Sequence, residues 1–278
     1  MGVQASAHSR RRKQGEGRLA AAIELEGIRK VFPGSSKAAL DGVSFQIQER
    51  EFIAIVGGSG SGKTTLLRLI NRLIEPDNGT VRVSGEDVRD VDPIELRRRI
   101  GYVFQGVGLF PHMSVAENIA ITPRLLGWDA QRRGQRADEL LSLVRLDPGV
   151  YRNRRPHQLS GGERQRIGVA RALAAQPAIV LMDEPFGALD PLTREALSAD
   201  YRRMHDELNL TTVMITHDAL EAVLLADRIA VLREGRLVAQ GTPREMMATQ
   251  PDDYVTELMD TPRRHAQRLN AVLERNNA

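Results

Sequence analysis

Residues 57–64 read Gly57-Gly58-Ser59-Gly60-Ser61-Gly62-Lys63-Thr64 and follow directly on the apolar run Phe52-Ile53-Ala54-Ile55-Val56. The pattern is a strand feeding a G-x-x-x-x-G-K-[ST] loop, which then opens a helix through the amphipathic run Leu66-Leu67-Arg68-Leu69-Ile70. Glycines let backbone N–H groups fold around phosphates, and the helix N-terminus adds partial positive charge. Lys63 supplies a full charge, and the Thr64 hydroxyl suits Mg²⁺. The loop, with Thr65 behind it, predicts triphosphate binding. Alone it leaves kinases, helicases, recombinases and transporter ATPases open. A GTPase is not expected, because no N-K-x-D element follows to read guanine.

The 278 residues are 41% hydrophobic and 27% charged, the composition of a soluble globular protein able to bury a sizeable core. Cys is absent, which excludes a disulfide framework, a thiolate metal site and a cysteine nucleophile, and fits a reducing cytoplasm. The net charge is +3, but Arg10, Arg11, Arg12, Lys13 and Arg18 against Glu16 concentrate the positive charge in the first eighteen residues. The remainder is near neutral, so nucleic-acid binding is not expected of the folded part. Residues 1–22 are expected to be a disordered basic leader. No apolar stretch follows the basic residues as in a signal peptide, and no run reaches the eighteen or so apolar residues that a membrane helix requires.

Ile23, Leu25 and then Val43, Phe45 and Ile47 alternate with polar residues, the period of half-exposed antiparallel strands. Phe52–Val56, Ile179–Met182, Val213–Ile215 and Ile229–Leu232 are continuous apolar runs, as parallel core strands are. Glu234-Gly235 offers a two-residue hairpin turn into Leu237-Val238-Ala239. Between the phosphate loop and the second core strand the start signals are helical. Asp92-Pro93-Ile94-Glu95 and Ser114-Val115-Ala116-Glu117 each place an N-cap residue three positions before a glutamate. A helical lobe is expected over about 106–175, and residues 263–278 are expected to be a charged tail that frays.

Two further strings point at phosphate. Leu159-Ser160-Gly161-Gly162-Glu163 carries another S-x-x-E capping box, so a helix begins there with two glycines baring backbone N–H groups at its positive end. Ile179-Val180-Leu181-Met182-Asp183-Glu184 is an apolar strand ending in two carboxylates. Asp183 is placed to hold Mg²⁺ directly or through water, and Glu184 to polarise an attacking water.

From about Ile23 to Met259 these residues resemble the ATP-binding subunit of an ABC transporter. The phosphate loop, Gln105 after the expected strand Tyr102-Val103-Phe104, the LSGGE string, Asp183-Glu184, Ala188-Leu189-Asp190 and Thr216-His217-Asp218 occur in that family's order. The one departure is Glu163 where the family usually has Gln, and little functional loss is expected from it. The resemblance implies an α/β fold, a P-loop NTPase of ABC type with a mainly parallel core sheet, an antiparallel β subdomain and the helical lobe, all within an ATPase domain over 23–262. It implies ATP and Mg²⁺ as cofactors and a head-to-tail pair of identical subunits. In that pair Ser160, Gly161, Gly162 and Glu163 of each copy complete the other's site, with Asp190 across the interface. Phe32 resembles the aromatic that stacks on adenine. Lys63 would neutralise β/γ-phosphate charge, Thr64, Gln105 and Asp183 would order Mg²⁺ or its waters, Glu184 would be the base, and His217 would contact the γ-phosphate.

The 98 residues from Gly62 to Ser160 leave no room for the long coiled-coil insertions of chromosome-maintenance ATPases, and the single phosphate loop argues against a tandem translation-factor type. A stand-alone subunit resembles bacterial importers, in which it sits peripherally on the cytoplasmic face of the membrane. There it drives a separate permease fed by a solute-binding protein. Val107, Leu109, Phe110 and Met113 would be an exposed apolar patch that meets the permease. Pro123 to Trp128, Met182 to Pro191 and Thr261-Pro262-Arg263-Arg264 are similar to subunits serving glycine betaine, choline, carnitine or proline uptake. No regulatory repeat domain follows, so direct sensing of ionic strength is not expected.

Overall fold

The structure, a computed structural model, describes residues 21–248 and 252–275. In chain order these form β1 (Ala21–Val31), β2 (Ala38–Gln48), β3 (Phe52–Val56), α1 (Lys63–Ile70), β4 (Asn78–Val83), β5 (Glu86–Asp87), α2 (Pro93–Arg99) and β6 (Ile100–Val103). The helical stretch follows, with α3 (Val115–Ile119), α4 (Ile121–Leu125), α5 (Ala130–Leu143), α6 (Pro148–Tyr151) and α7 (Gly161–Leu173). Then come β7 (Ile179–Asp183), α8 (Pro191–Leu208), β8 (Thr211–Ile215), α9 (Ala219–Leu225), β9 (Arg228–Arg233), β10 (Arg236–Gly241), α10 (Pro243–Met246) and α11 (Asp253–Arg275).

The apolar runs β3, β7 and β8 are buried along their whole length. With β9 they are the inner strands of a six-stranded sheet ordered β10-β9-β3-β8-β7-β6, parallel except for the final β9–β10 hairpin. Successive side chains of a strand point to opposite faces, so each run feeds two cores. Phe52, Ala54, Val56, Val180, Met182 and Met214 face the core closed by α7, α8 and α9. Ile53, Ile55, Leu181, Val213 and Ile215 face α1 and the second sheet. A parallel sheet covered on both faces has no polar side to show, which is why its strands read as unbroken apolar runs. Glu234 and Gly235, at φ of 48° and 78°, make the expected tight turn between β9 and β10.

The second sheet is antiparallel, ordered β2-β1-β4-β5. Ile23, Leu25, Val43, Phe45 and Ile47 are buried, as their alternation predicts. β4 and β5 fall where only helices are expected. Asn78-Gly79-Thr80 gives no strand signal of its own, and the segment is held by pairing to β1 across the register Leu25–Val81. Three other boundaries move. Ala21 and Ala22, expected in the leader, already belong to β1, where Ala22 is buried, and the rest of that leader lies outside the described residues. Phe104 lies one residue beyond β6 and is exposed. Asp92 caps α2 through the Ile94 and Glu95 amides, while Ser114 closes a full capping box. The segment 263–275, expected to fray, continues α11 through Pro262. There the Thr261 hydroxyl and the Arg264 guanidinium donate to the Glu257 carbonyl at 3.0 and 2.9 Å.

Where β3 leaves the sheet the chain passes close to β9. A Cβ on Gly57, whose φ is +154°, would stand 2.1 Å from the Leu232 carbonyl oxygen. No rotamer relieves a clash with backbone, so Gly57→Ala must displace either the phosphate loop or β9. A loss of about 1–3 kcal/mol is expected in urea unfolding, with a lowered midpoint at unchanged slope.

Candidate functional site

In an open α/β sheet the crevice beyond the carboxyl ends of the strands is where ligands sit. The phosphate loop follows β3, Gln105 follows β6, Glu184 follows β7 and His217 follows β8, so four segments far apart in sequence end on one edge. Ser59 to Thr65, Gln105, Glu184 and His217 line a cleft of about 560 Å³, together with Ala39.

The loop is shaped to offer donors. Gly62 enters α1 at φ +102° with no side-chain cap on the helix, leaving the first N–H groups of α1 free of a competing side chain. A Cβ there would lie 2.3 Å from the Ala39 carbonyl oxygen, so only glycine fits. The Ser61 hydroxyl is buried without a hydrogen-bond partner, an orphan suited to a phosphate oxygen. Lys63 is 7% exposed, and its ammonium donates to the Gly57 and Gly58 carbonyls at 2.7 and 2.9 Å. Burial pulls its pKa down from the usual lysine range, against the opposing pull of the Glu184 and Asp183 charges. Thr64 Oγ1 donates to Asp183 Oδ1 at 3.2 Å, and burial raises the Asp183 pKa. A hydroxyl and a carboxylate beside a phosphate cradle form the hard-oxygen donor set that suits Mg²⁺.

Adjacent residues on a strand normally point to opposite faces, which would separate the two carboxylates. Glu184 escapes this by taking φ +47°, with its N–H donated to the Ile215 carbonyl at 3.0 Å. Its Oε2 then accepts from Gln105 Nε2 at 3.0 Å and stands 3.6 Å from His217 Nδ1. His217 is aimed there by the turn into α9, where Thr216 Oγ1 accepts from the Asp218 amide and Asp218 Oδ1 caps the helix. A carboxylate, an amide and an imidazole thus converge beside the cradle. Such a group can orient a water and take its proton.

The LSGGE string lies elsewhere. Ser160 closes its predicted box with Glu163, the Ser160 amide donating to Glu163 Oε2 at 2.7 Å and the Glu163 amide to Ser160 Oγ at 3.2 Å. Ser160, Gly161, Gly162 and Glu163 line a separate depression with Ala188, Leu189, Asp190 and Thr193. That depression shares no residue with the phosphate cleft. Asp190 caps α8 through the Thr193 amide at 3.1 Å and stands beside the N-terminus of α7, the signature helix that the LSGGE string opens. Arg166 fixes that helix by donating to the Val144 carbonyl and to buried Asp200. Arg171 ties it to the segment after Gln105 through the Gly108 and Val107 carbonyls at 2.7 and 2.6 Å.

Phe32 does not line the cleft. It is 36% exposed just past the end of β1, with Lys30 Nζ 5.9 Å from its ring centre. Of the four apolar residues read as a docking patch, Phe110 is exposed, Val107 and Met113 are half-buried, and Leu109 packs against the core. Phe104, Phe110, Leu73, Ile121 and Leu125 line an apolar groove of about 510 Å³. Sequence reasoning missed Ala39 and Tyr254. The Tyr254 hydroxyl, on α11, accepts from the Gly58 amide at 2.9 Å, a contact across 196 residues that no local signal announces.

Residues 40–187 match the family described as ABC transporter. The chain is 48% identical over 241 residues to the glycine betaine/carnitine/choline transport ATP-binding protein OpuCA of Bacillus subtilis (strain 168), which covers 87% of this chain and 63% of that protein. It is 48% identical over 235 residues to the glycine betaine uptake system ATP-binding protein YehX of Escherichia coli (strain K12), over 84% of this chain and 75% of that protein. The chain thus spans somewhat under two thirds of the first of these relatives. Among solved structures it is similar to the dimeric post-hydrolysis state of the ATP-binding cassette MJ0796 bound to ADP and Pi. The TM-score is 0.73 and the identity 35%, over 80% of this chain and 99% of that one.

Proposed function

This chain belongs to the ABC transporter family, and from that premise we propose that it is the ATP-hydrolysing subunit of an importer for a small osmolyte of the glycine betaine or choline type. The observation that carries the reading is the division of the site. The cradle, Gln105, Glu184 and His217 share one cleft, whereas the signature helix N-terminus opens into another. One chain surrounds only part of a triphosphate, and a second copy facing it in the opposite sense would supply the rest.

In this reading Lys63 and the loop amides hold the β- and γ-phosphates, and Phe32 stacks on adenine. Thr64, Asp183 and Gln105 would hold Mg²⁺ or its waters, which would supply charge neutralisation at the phosphates. Water attacks the γ-phosphorus in line, Glu184 takes its proton, His217 holds the γ-phosphate, and ADP leaves with phosphate. Ser160, Gly161 and Gly162 close the partner's site from a helix end that Glu163 caps, and Asp190 meets the partner across the seam. ATP then binds the dimer together, and hydrolysis releases it.

Among the described residues no helix is long and apolar enough to cross a membrane. A separate permease would therefore do the spanning, docking at the groove that Phe104 and Phe110 line, with this chain peripheral on the cytoplasmic face. The osmolyte assignment rests on the names of the relatives. It is tested by reconstituting the chain with the permease it co-purifies with in proteoliposomes and measuring ATP-driven uptake of labelled solutes. Uptake of glycine betaine or choline is expected. Uptake restricted to an anion or an amino acid would replace the cargo, and stimulation of ATPase by RNA with no permease bound would replace the transporter.

A further inference from the structure

Glu163 places a carboxylate beside the N-terminus of α7, where the reading above needs phosphate to bind. A carboxylate is itself drawn to a helix N-terminus, and unlike the amide of a glutamine it carries a charge that would compete with and repel the partner's γ-phosphate. The structure gives this glutamate a partner on its far side. The Tyr151 hydroxyl, at the end of α6, donates to Glu163 Oε1 at 2.6 Å while Oε2 accepts from the Ser160 amide. Arg154 lies with its guanidinium carbon 4.5 Å from the Tyr151 ring centre, adding positive charge on the same side. The Tyr151 bond holds the Glu163 pKa below the usual carboxylate range, and the same bond raises that of the phenol.

The capping box does not itself call for a tyrosine. The box at Ser114 and Glu117 closes through the same two bonds, Ser114 amide to Glu117 Oε2 and Glu117 amide to Ser114 Oγ, and needs no tyrosine to do so. The tether accompanies the box whose helix end would face a phosphate in the reading above.

We propose that Tyr151 is a positioning residue that holds the Glu163 carboxylate back against the helical lobe, leaving the Gly161 and Gly162 amides free for the partner's γ-phosphate. The inference rests on the signature helix acting in trans. With the phenol removed, Oε1 is free to swing over the helix end and occupy those amides as an internal anion.

The test is ATP-driven dimerisation of the full chain by sedimentation velocity with MgATP, in a Glu184→Gln background so that nucleotide is not consumed. Tyr151→Phe is expected to weaken dimerisation about tenfold, the scale of one hydrogen bond to a charged group. Placed on Glu163→Gln, the same change is expected to shift it less than twofold relative to Glu163→Gln alone, because a neutral amide does not compete. No effect of Tyr151→Phe in the native background overturns the proposal. An equal loss in both backgrounds also overturns it, since that marks mere packing. Gly161→Glu separates the premise from the inference. A Cβ at Gly161 meets nothing within 4 Å, so the change fits the fold. It puts a carboxylate on the phosphate-facing end and is expected to abolish dimerisation. If Gly161→Glu dimerises normally, the trans reading itself fails. If it does not dimerise while Tyr151→Phe dimerises as tightly as its Tyr151 parent, only the tether fails.

Discussion

Lys63→Ala is expected to abolish ATP binding at concentrations where the native chain saturates, read as a flat calorimetric titration. The ammonium sits almost fully buried between the Gly57 and Gly58 carbonyls, with Asp183 and Glu184 close enough to influence its protonation. Removing it subtracts the cradle's one full positive charge and leaves two carbonyl oxygens and two carboxylates near a triphosphate. Truncating one partner of a buried, hydrogen-bonded charge pair costs about 2–5 kcal/mol. That corresponds to roughly 30- to 5,000-fold in Kd, before the added repulsion from the uncompensated acids. Because Lys63 also bridges the loop, the melting curve of the variant must be recorded beside the titration. A native melt with lost binding locates the defect in the cradle, and an unchanged titration removes Lys63 from phosphate contact.

What the sequence made legible follows from how far each signal reaches. The strands β3, β7 and β8 were readable because a sheet covered on both faces demands apolar residues at every position, and the caps at Ser114 and Ser160 because their partners lie three residues on. β4 was not readable, since its strand character comes from pairing with β1 some fifty residues earlier rather than from Asn78-Gly79-Thr80. The same holds within the site. Gln105, Glu184 and His217 each stand in a legible string, yet the Glu184 contact to Gln105 and the Tyr254 contact to Gly58 exist only through the sheet order and the docking of α11. Pro262 reads locally as a helix stop. Val255 and Met259, buried in the core, anchor the preceding turns of α11, and the helix continues past it. Tyr151 gave no signal of its own, because nothing in its neighbourhood shows that its hydroxyl reaches a glutamate twelve residues later.

Glu184→Gln is expected to keep ATP affinity while slowing turnover by on the order of 10²- to 10⁴-fold, the contribution of a positioned base. The substitution preserves shape. Glutamine's carbonyl oxygen can still accept from Gln105 Nε2, and the left-handed backbone at this position is tolerated by either residue, so the cleft should be unchanged. What is lost is the capacity to take a proton from water beside His217. Retained binding with arrested hydrolysis has a second consequence if nucleotide is the adhesive between two copies. The variant should accumulate as a dimer in MgATP and return to monomer when ATP is replaced by ADP, because the γ-phosphate is the part of the ligand that the Ser160-Gly161-Gly162 helix end would grip. Near-native turnover would take the base role from Glu184. A variant that binds ATP, fails to hydrolyse it and still sediments as a monomer would leave the chemistry standing and dissolve the sandwich, since the signature depression would then have no phosphate to face.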